Sequence, residues 1–331
     1  MSSPHPPGAL SSVKTVILLN PRGFCAGVVR AIDVVKIAIG VFGPPIFVRK
    51  EIVHNRLVVQ ELGAMGAVFV EELDQVPEGA RVIFSAHGIS PAVRFQATAR
   101  NLKVIDATCP LVTKVHLEAL KFAREGYTIL LIGHRDHDEV IGTLGEAPEN
   151  TIVISTEEEA AVVEVRNPEK VAYLTQTTLS LDETRSIVAT LRLRFPAIQG
   201  PPAQDICYAT ENRQLAVKAV APLCQLLLVV GSQNSSNSRR MVEVARNAGV
   251  KAYLVDDAKD VRPSWLENVE TVVVTAGASA PEILVLGLVA ALKKLYGFER
   301  VEHMDIKDED VRFSLPPELG QAHGKLISVA S

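Results

Sequence analysis

Four cysteines, Cys25, Cys109, Cys207 and Cys224, are the residues of this chain whose type offers metal or redox chemistry. No two stand close enough for a CxxC motif, and across 331 residues they are too sparse for a disulfide framework. Cys224 lies in APLCQLLLVV, between a helical pattern and an apolar strand, where a thiol packs as a small hydrophobe. The other three lie in PRGFCAGV, DATCPLV and DICYATENR, each at a strand end ahead of a helical pattern, and are expected to be exposed. Three thiolates from separate loops, with no fourth, suit a [4Fe–4S] cluster in which one iron lacks protein ligation. Such an iron is a Lewis acid that can bind a substrate hydroxyl and deliver electrons. Zinc on Cys₃His is the rival, but structural zinc sites use short ligand spacings and these thiols are 84 and 98 residues apart. Pro110 predicts a helix starting directly after Cys109, whose dipole favours the thiolate.

A second group of residues points to anion binding. The segment LLLVVGSQNSSNSRRMVEVARNAG reads as strand, loop and helix, with Ser235, Ser236 and Asn237 at the helix start. Backbone N–H groups there, together with hydroxyl and amide donors, make a phosphate site. TAGASAPEIL repeats the design with Ser279, although both loops also read as ordinary helix caps. His54 (EIVHN), His87 (SAHGIS) and His137 (GHRDHDEV) occupy strand-end loops where each can donate to a phosphate oxygen. His134 reads as structural, His116 as solvent-exposed on a helix. Glu139 follows His137 by two residues and is the best proton donor of its loop, since a carboxyl held from water near an anion titrates toward neutrality. Asp136 and Asp138 compete for that role. TQTT supplies Gln176, Thr177 and Thr178 as hydroxyl and amide contacts, or as a simple turn.

The elements that must position these groups are short aliphatic runs separated by helix-length segments: VILLN, PIFVRK, RVIFSA, LKVIDA, YTILLIG, TIVIS, VAYLTQ, LLLVVG, KAYLVDD and TVVVTAG. Such runs predict buried parallel strands with helical crossovers, an α/β chain. In open parallel sheets ligands bind at the carboxyl ends of strands, so the polar loops should converge on one site. The cysteine spacing predicts three small parallel-sheet α/β domains in pseudo-three-fold arrangement around a central cluster. The expected segments are a disordered tail over 1–12, domains over 13–109, 110–206 and 207–298, and a C-terminal tail over 299–331. The N-terminal strand is expected to complete the third sheet. A net charge of −4 disfavours nucleic acid and acidic membrane surfaces as partners. No apolar stretch approaches the ~18 residues of a membrane span, and the first twelve residues lack the features of a targeting peptide, so a cytoplasmic protein is expected.

The set RGFCAGV, EIVHN, SAHG, DATCP, TQTTLS, ICYAT.NRQ, VGSQNSSNS and TAGASAP, in this order from about Val13 to Leu295, resembles the 4-hydroxy-3-methylbut-2-enyl diphosphate reductase family. The resemblance implies the last step of the methylerythritol phosphate route to isoprenoids, a reductive dehydroxylation giving isopentenyl and dimethylallyl diphosphates. It implies Cys25, Cys109 and Cys207 as ligands of a [4Fe–4S] cluster with one open iron. It further implies His54, His87, His137, Ser235, Ser236, Asn237 and Ser279 as the diphosphate cradle, Glu139 as proton donor, and Thr177 as the residue orienting the hydroxyl. Asp138 departs from the family pattern, where Pro is expected between His137 and Glu139. No GxGxxG or flavin motif precedes a helix, so a separate ferredoxin or flavodoxin is the expected electron donor. The alternative is an iron–sulfur sensor that binds a phosphorylated metabolite without turnover, which has no use for a proton donor inside the cradle.

Overall fold

The computed structural model describes residues 13–319. In chain order, β1 (Thr15–Asn20) and α1 (Ala26–Phe42) lead into β2 (Ile46–Arg49), α2 (Arg56–Met65), β3 (Ala67–Val70), β4 (Arg81–Phe84), α3 (Pro91–Ala99) and β5 (Lys103–Asp106). A second unit follows as α4 (Pro110–Arg124), β6 (Thr128–Ile132), α5 (Asp138–Glu146), β7 (Thr151–Ile154), α6 (Glu157–Val162), β8 (Val171–Thr175) and α7 (Leu181–Arg194). The third comprises α8 (Tyr208–Val220), β9 (Leu226–Val230), α9 (Ser236–Asn247), β10 (Lys251–Val255), β11 (Thr271–Ala276), α10 (Glu282–Tyr296) and β12 (Arg300–Asp305). The strands form three sheets, ordered β3-β2-β4-β5, β7-β6-β8 and β10-β9-β11-β1-β12, and every strand pair is parallel.

The aliphatic runs become strands because each sheet is covered on both faces. In β6, Leu130 and Ile132 enter one core and Ile129 and Leu131 the other; in β1, Val16 and Leu18 separate from Ile17 and Leu19 in the same way. Both residue parities are buried, so the sequence shows a continuous apolar run in place of alternation. Each such side chain contributes on the order of 1.5–3 kcal/mol of transfer free energy. The N-terminal strand sits inside the third sheet, between β11 and β12.

Three expectations need correction. The segment after Phe298 is not a tail. Its first residues form edge strand β12, and beyond it Glu309 pairs with buried Arg213, Ser314 accepts from Arg30 Nε at 2.7 Å, and Leu315 and Leu319 pack against the core of the first sheet. Residues 1–12 and 320–331 lie outside the described residues. His116 is not exposed: it is buried in α4 with Nδ1 2.8 Å from Glu146 Oε1, on the apolar stripe formed by Val112, Val115, Ala119 and Phe122. The loops carrying Cys25, Cys109 and Cys207 are half-buried, because the three units face one another across them.

Candidate active site

Cys25, Cys109 and Cys207 are each the N-cap residue of a helix, α1, α4 and α8 respectively. The expectation for Cys109 therefore extends to all three thiols, each at the positive end of a helix dipole. Against this, burial pushes the Cys109 thiol up to about 12 and the Cys207 thiol up to about 11, with the other cysteines adding repulsion. Desolvation outweighs the dipole until a cation arrives to hold the thiolates. The backbone makes room for such a group. A Cβ on Gly27 would stand 2.8 Å from Cys109 Sγ and 3.8 Å from Cys25 Sγ, so only glycine leaves this space open between two thiols. Among the described residues no three His, Cys, Asp or Glu side chains close on the position of a single ion. The three thiols border one cavity. Cys224 lies away from it, half-buried against the core of the third sheet.

The same cavity is lined by His54, His87 and His137, which follow β2, β4 and β6. His54 and His87 stack with ring centroids 4.1 Å apart, and His137 meets both edge-on at 5.8 and 5.9 Å. Burial, then repulsion from His54, pushes His137 down to about 3, and the same causes hold His87 well below the usual imidazole range. His87 and His137 are therefore held neutral here, and a multiply charged anion is what would favour their protonation.

Opposite them stand Ser235, Ser236 and Asn237 at the start of α9 and Ser279 after β11. Their side chains bridge units: Ser236 Oγ donates to the Thr178 carbonyl at 3.1 Å, and Ser279 Oγ to the His54 carbonyl at 2.9 Å. Asn237 Oδ1 accepts from the Ala278 N–H, and its amide donates to Thr210 Oγ1.

Glu139, in the first turn of α5, is 2% exposed and lines the cavity. Its Oε1 accepts from the Thr177 N–H at 2.6 Å and its Oε2 lies 3.0 Å from the Thr177 hydroxyl. Burial lifts its carboxyl to about 7, although both Thr177 contacts oppose the shift. Asp136 is exposed, and Asp138 is half-buried outside the cavity lining, so neither competes. Asp138 takes the first helical position of α5, where proline is also favoured and where a carboxylate suits the dipole, so the departure leaves the helix start intact. Gln176 and His134 do not line the cavity; Gln176 Oε1 accepts the His134 N–H at 3.1 Å, and the His134 ring meets Arg240.

Thr210, Tyr208 and Phe313 are among the lining residues to which sequence reasoning assigns no role. Thr210 accepts from Cys207 Sγ at 3.2 Å, Tyr208 accepts the Ala26 N–H at 3.0 Å, and Phe313 arrives from the segment after β12. Thr210 was legible in principle, standing three residues past Cys207 on one helix face. Nothing local marks Phe313.

Fold and site together define an α/β protein of three parallel-sheet units with one cavity lined by three thiols, three imidazoles and a buried carboxyl. A family model described as LytB protein matches residues 16–293, and the chain belongs to that family. It is 56% identical to the 4-hydroxy-3-methylbut-2-enyl diphosphate reductase of Mycolicibacterium gilvum over 96% of this chain and 97% of the relative. It is 57% identical to the reductase of the same name from Acidothermus cellulolyticus over 92% and 90% of the two chains. The solved structure of the E-1-hydroxy-2-methyl-but-2-enyl-4-diphosphate reductase from Plasmodium falciparum superposes with a TM-score of 0.91 at 39% identity, covering 96% of this chain and all of that one. Among the described residues no helix is long and apolar enough to cross a membrane.

Proposed function

We propose that this chain reductively dehydroxylates 4-hydroxy-3-methylbut-2-enyl diphosphate to isopentenyl and dimethylallyl diphosphates in the cytoplasm, with Cys25, Cys109 and Cys207 holding a [4Fe–4S] cluster. When bound, the cluster supplies electrons and an open Lewis-acidic iron, and a separate ferredoxin or flavodoxin reduces it. The protein's own groups do the rest. His54, His87, His137, Ser235, Ser236, Asn237 and Ser279 anchor the diphosphate and neutralise its charge. Thr177 positions the Glu139 carboxyl and the substrate hydroxyl between them, and Glu139 gives the proton with which that hydroxyl leaves as water. The observation that carries this reading is Glu139: a carboxyl 2% exposed, lifted to about 7, in the same cavity as the thiols and imidazoles. A sensor has no use for a buried acid there. Anaerobic protein with reduced viologen is expected to oxidise the dye when the allylic diphosphate alcohol is added; binding without oxidation establishes the sensor instead.

The neutral imidazoles give a second expected result. Because His87 and His137 lie far below their usual range in the free cavity, an anion that protonates them must draw protons from solvent. Binding of inorganic diphosphate near neutral pH is therefore expected to show net proton uptake, with affinity falling as pH rises. Calorimetry in buffers of different ionisation enthalpy measures this, and His137→Asn should take up fewer protons. Heats independent of buffer would leave the charge to hydroxyl, amide and backbone donors alone.

A further inference from the structure

Two of the most buried cations among the described residues, Arg30 and Arg213, have no place in the chemistry above, and neither does Lys114. Each stands one to two turns into a helix capped by a candidate ligand: Arg30 and Lys114 five residues past Cys25 and Cys109, Arg213 six past Cys207. Side chains on a helix lean toward its N-terminus, so a long cation at this position reaches back to the cysteine end. There each one reaches the loop that enters the next cysteine helix. Arg30 Nη1 donates to the carbonyls of Ala107 and Thr108, both at 3.1 Å, on the loop entering Cys109. Lys114 Nζ donates to the carbonyls of Ala203 at 2.6 Å and Gln204 at 3.2 Å, and to Asp205 Oδ1 at 2.9 Å, on the loop entering Cys207. Arg213 Nη2 donates to the carbonyl of Gly23 at 2.7 Å, on the loop entering Cys25. The three ties close a circle, from the first cysteine helix to the second loop, the second helix to the third loop, and the third helix back to the first.

We infer that Arg30, Lys114 and Arg213 form a ring of positioning residues that fixes the three thiols relative to one another and so governs how firmly the metal centre is held. The inference rests on the reading of Cys25, Cys109 and Cys207 as its ligands. General packing does not explain the pattern. Arg194 makes contacts of the same kind, to the carbonyls of Ala160 at 2.7 Å and Val163 at 2.6 Å, but it ties α7 to the end of α6 and reaches no cysteine loop. Partners of this kind around a metal site set both ligand orientation and affinity.

The variants Lys114→Met, Arg30→Lys and Arg213→Lys test the ring, with Lys114→Arg as the conservative replacement and Arg194→Met as the control. All are prepared anaerobically with the cluster in place. Iron release to a chelator is followed by loss of the sulfur-to-iron absorption band, and melting of each iron-free chain by circular dichroism. Lys114 is partly exposed, so Lys114→Met carries the test even where an arginine variant fails to fold. It is expected to release iron roughly tenfold faster or more, the usual scale for an outer-shell partner, while Lys114→Arg restores the parental rate. Arg30→Lys and Arg213→Lys should also release faster, because an ammonium cannot make the forked contacts. Arg194→Met should lower melting and leave release unchanged. Parental release in Lys114→Met, or equal acceleration in Arg194→Met, overturns the ring while the cluster stands. A parent chain that never holds iron overturns the ligand reading and the ring together.

Discussion

Glu139→Gln is expected to lower turnover by about 10²-fold or more while leaving the metal centre and diphosphate binding in place. The amide keeps the shape: its oxygen can still accept the Thr177 N–H and its NH₂ can donate to the Thr177 hydroxyl, the two contacts that now hold the carboxyl. What it loses is a transferable proton. With the carboxyl lifted to about 7 by burial, the parent should lose activity as pH rises through that value, and the variant should show no such limb. Stability moves in the same sense. Between the ordinary carboxylate value of 4.5 and about 7 the folded chain holds a proton that the unfolded chain has lost, so this group's contribution falls as pH rises across that window. Above it, an ionised carboxylate remains buried, and removing it should stabilise the protein by on the order of 3 kcal/mol. A variant that is slower yet melts higher at pH 8 separates a chemical role from a structural one. Asp138→Asn, at the helix start and outside the cavity, should change little; a large loss there with normal Glu139→Gln turnover would exchange their roles.

Cys25→Ser, Cys109→Ser and Cys207→Ser should each lose the iron–sulfur chromophore and all turnover, while Cys224→Ser keeps both. The first three thiols cap three helices around one cavity, and the fourth packs half-buried against the third sheet. Serine retains the capping geometry, and its hydroxyl is a far weaker ligand than a thiolate. Iron content and absorption of the anaerobic proteins decide the matter. Loss of the chromophore in Cys224→Ser, with circular dichroism unchanged, would mean the ligands are misassigned.

The ten aliphatic runs were legible because both faces of each sheet are covered; in β9 all five residues are buried. The two strands that escaped are edges. Ala67–Val70 is four residues long with Val68 exposed, and RVEHMD in β12 carries charge on its outer side while Val301 and Met304 alone reach the cores. Edge strands lose one partner and with it the continuous apolar signature. The site was legible for a related reason. Its groups come from turns at strand ends, where the fold class itself dictates convergence. Phe313 and the carbonyl contacts of Arg30, Lys114 and Arg213 join segments far apart in sequence, which no local pattern encodes. His116 is an intermediate case, since its place on the spacing of Val112, Val115, Ala119 and Phe122 marked the inner face of α4.

The place of β1 ties completion of the site to completion of synthesis. Thr15 pairs with Thr271 on one side and Arg300 on the other, and the strand runs directly into the loop of Cys25. On a ribosome, the first strand to emerge has no partner until both of these late strands exist, a wait on the order of tens of seconds at about 5–20 residues per second. The second and third thiols can be presented by units built from neighbouring sequence, but the first cannot be anchored before the last strand arrives. A nascent chain thus exposes an apolar strand and an incomplete thiol set together, and both are resolved by one late event, the insertion of β1 between β11 and β12. On the proposed ligand reading, metal loading waits for that insertion, and any change that weakens β12 should surface as poor iron incorporation beside β1.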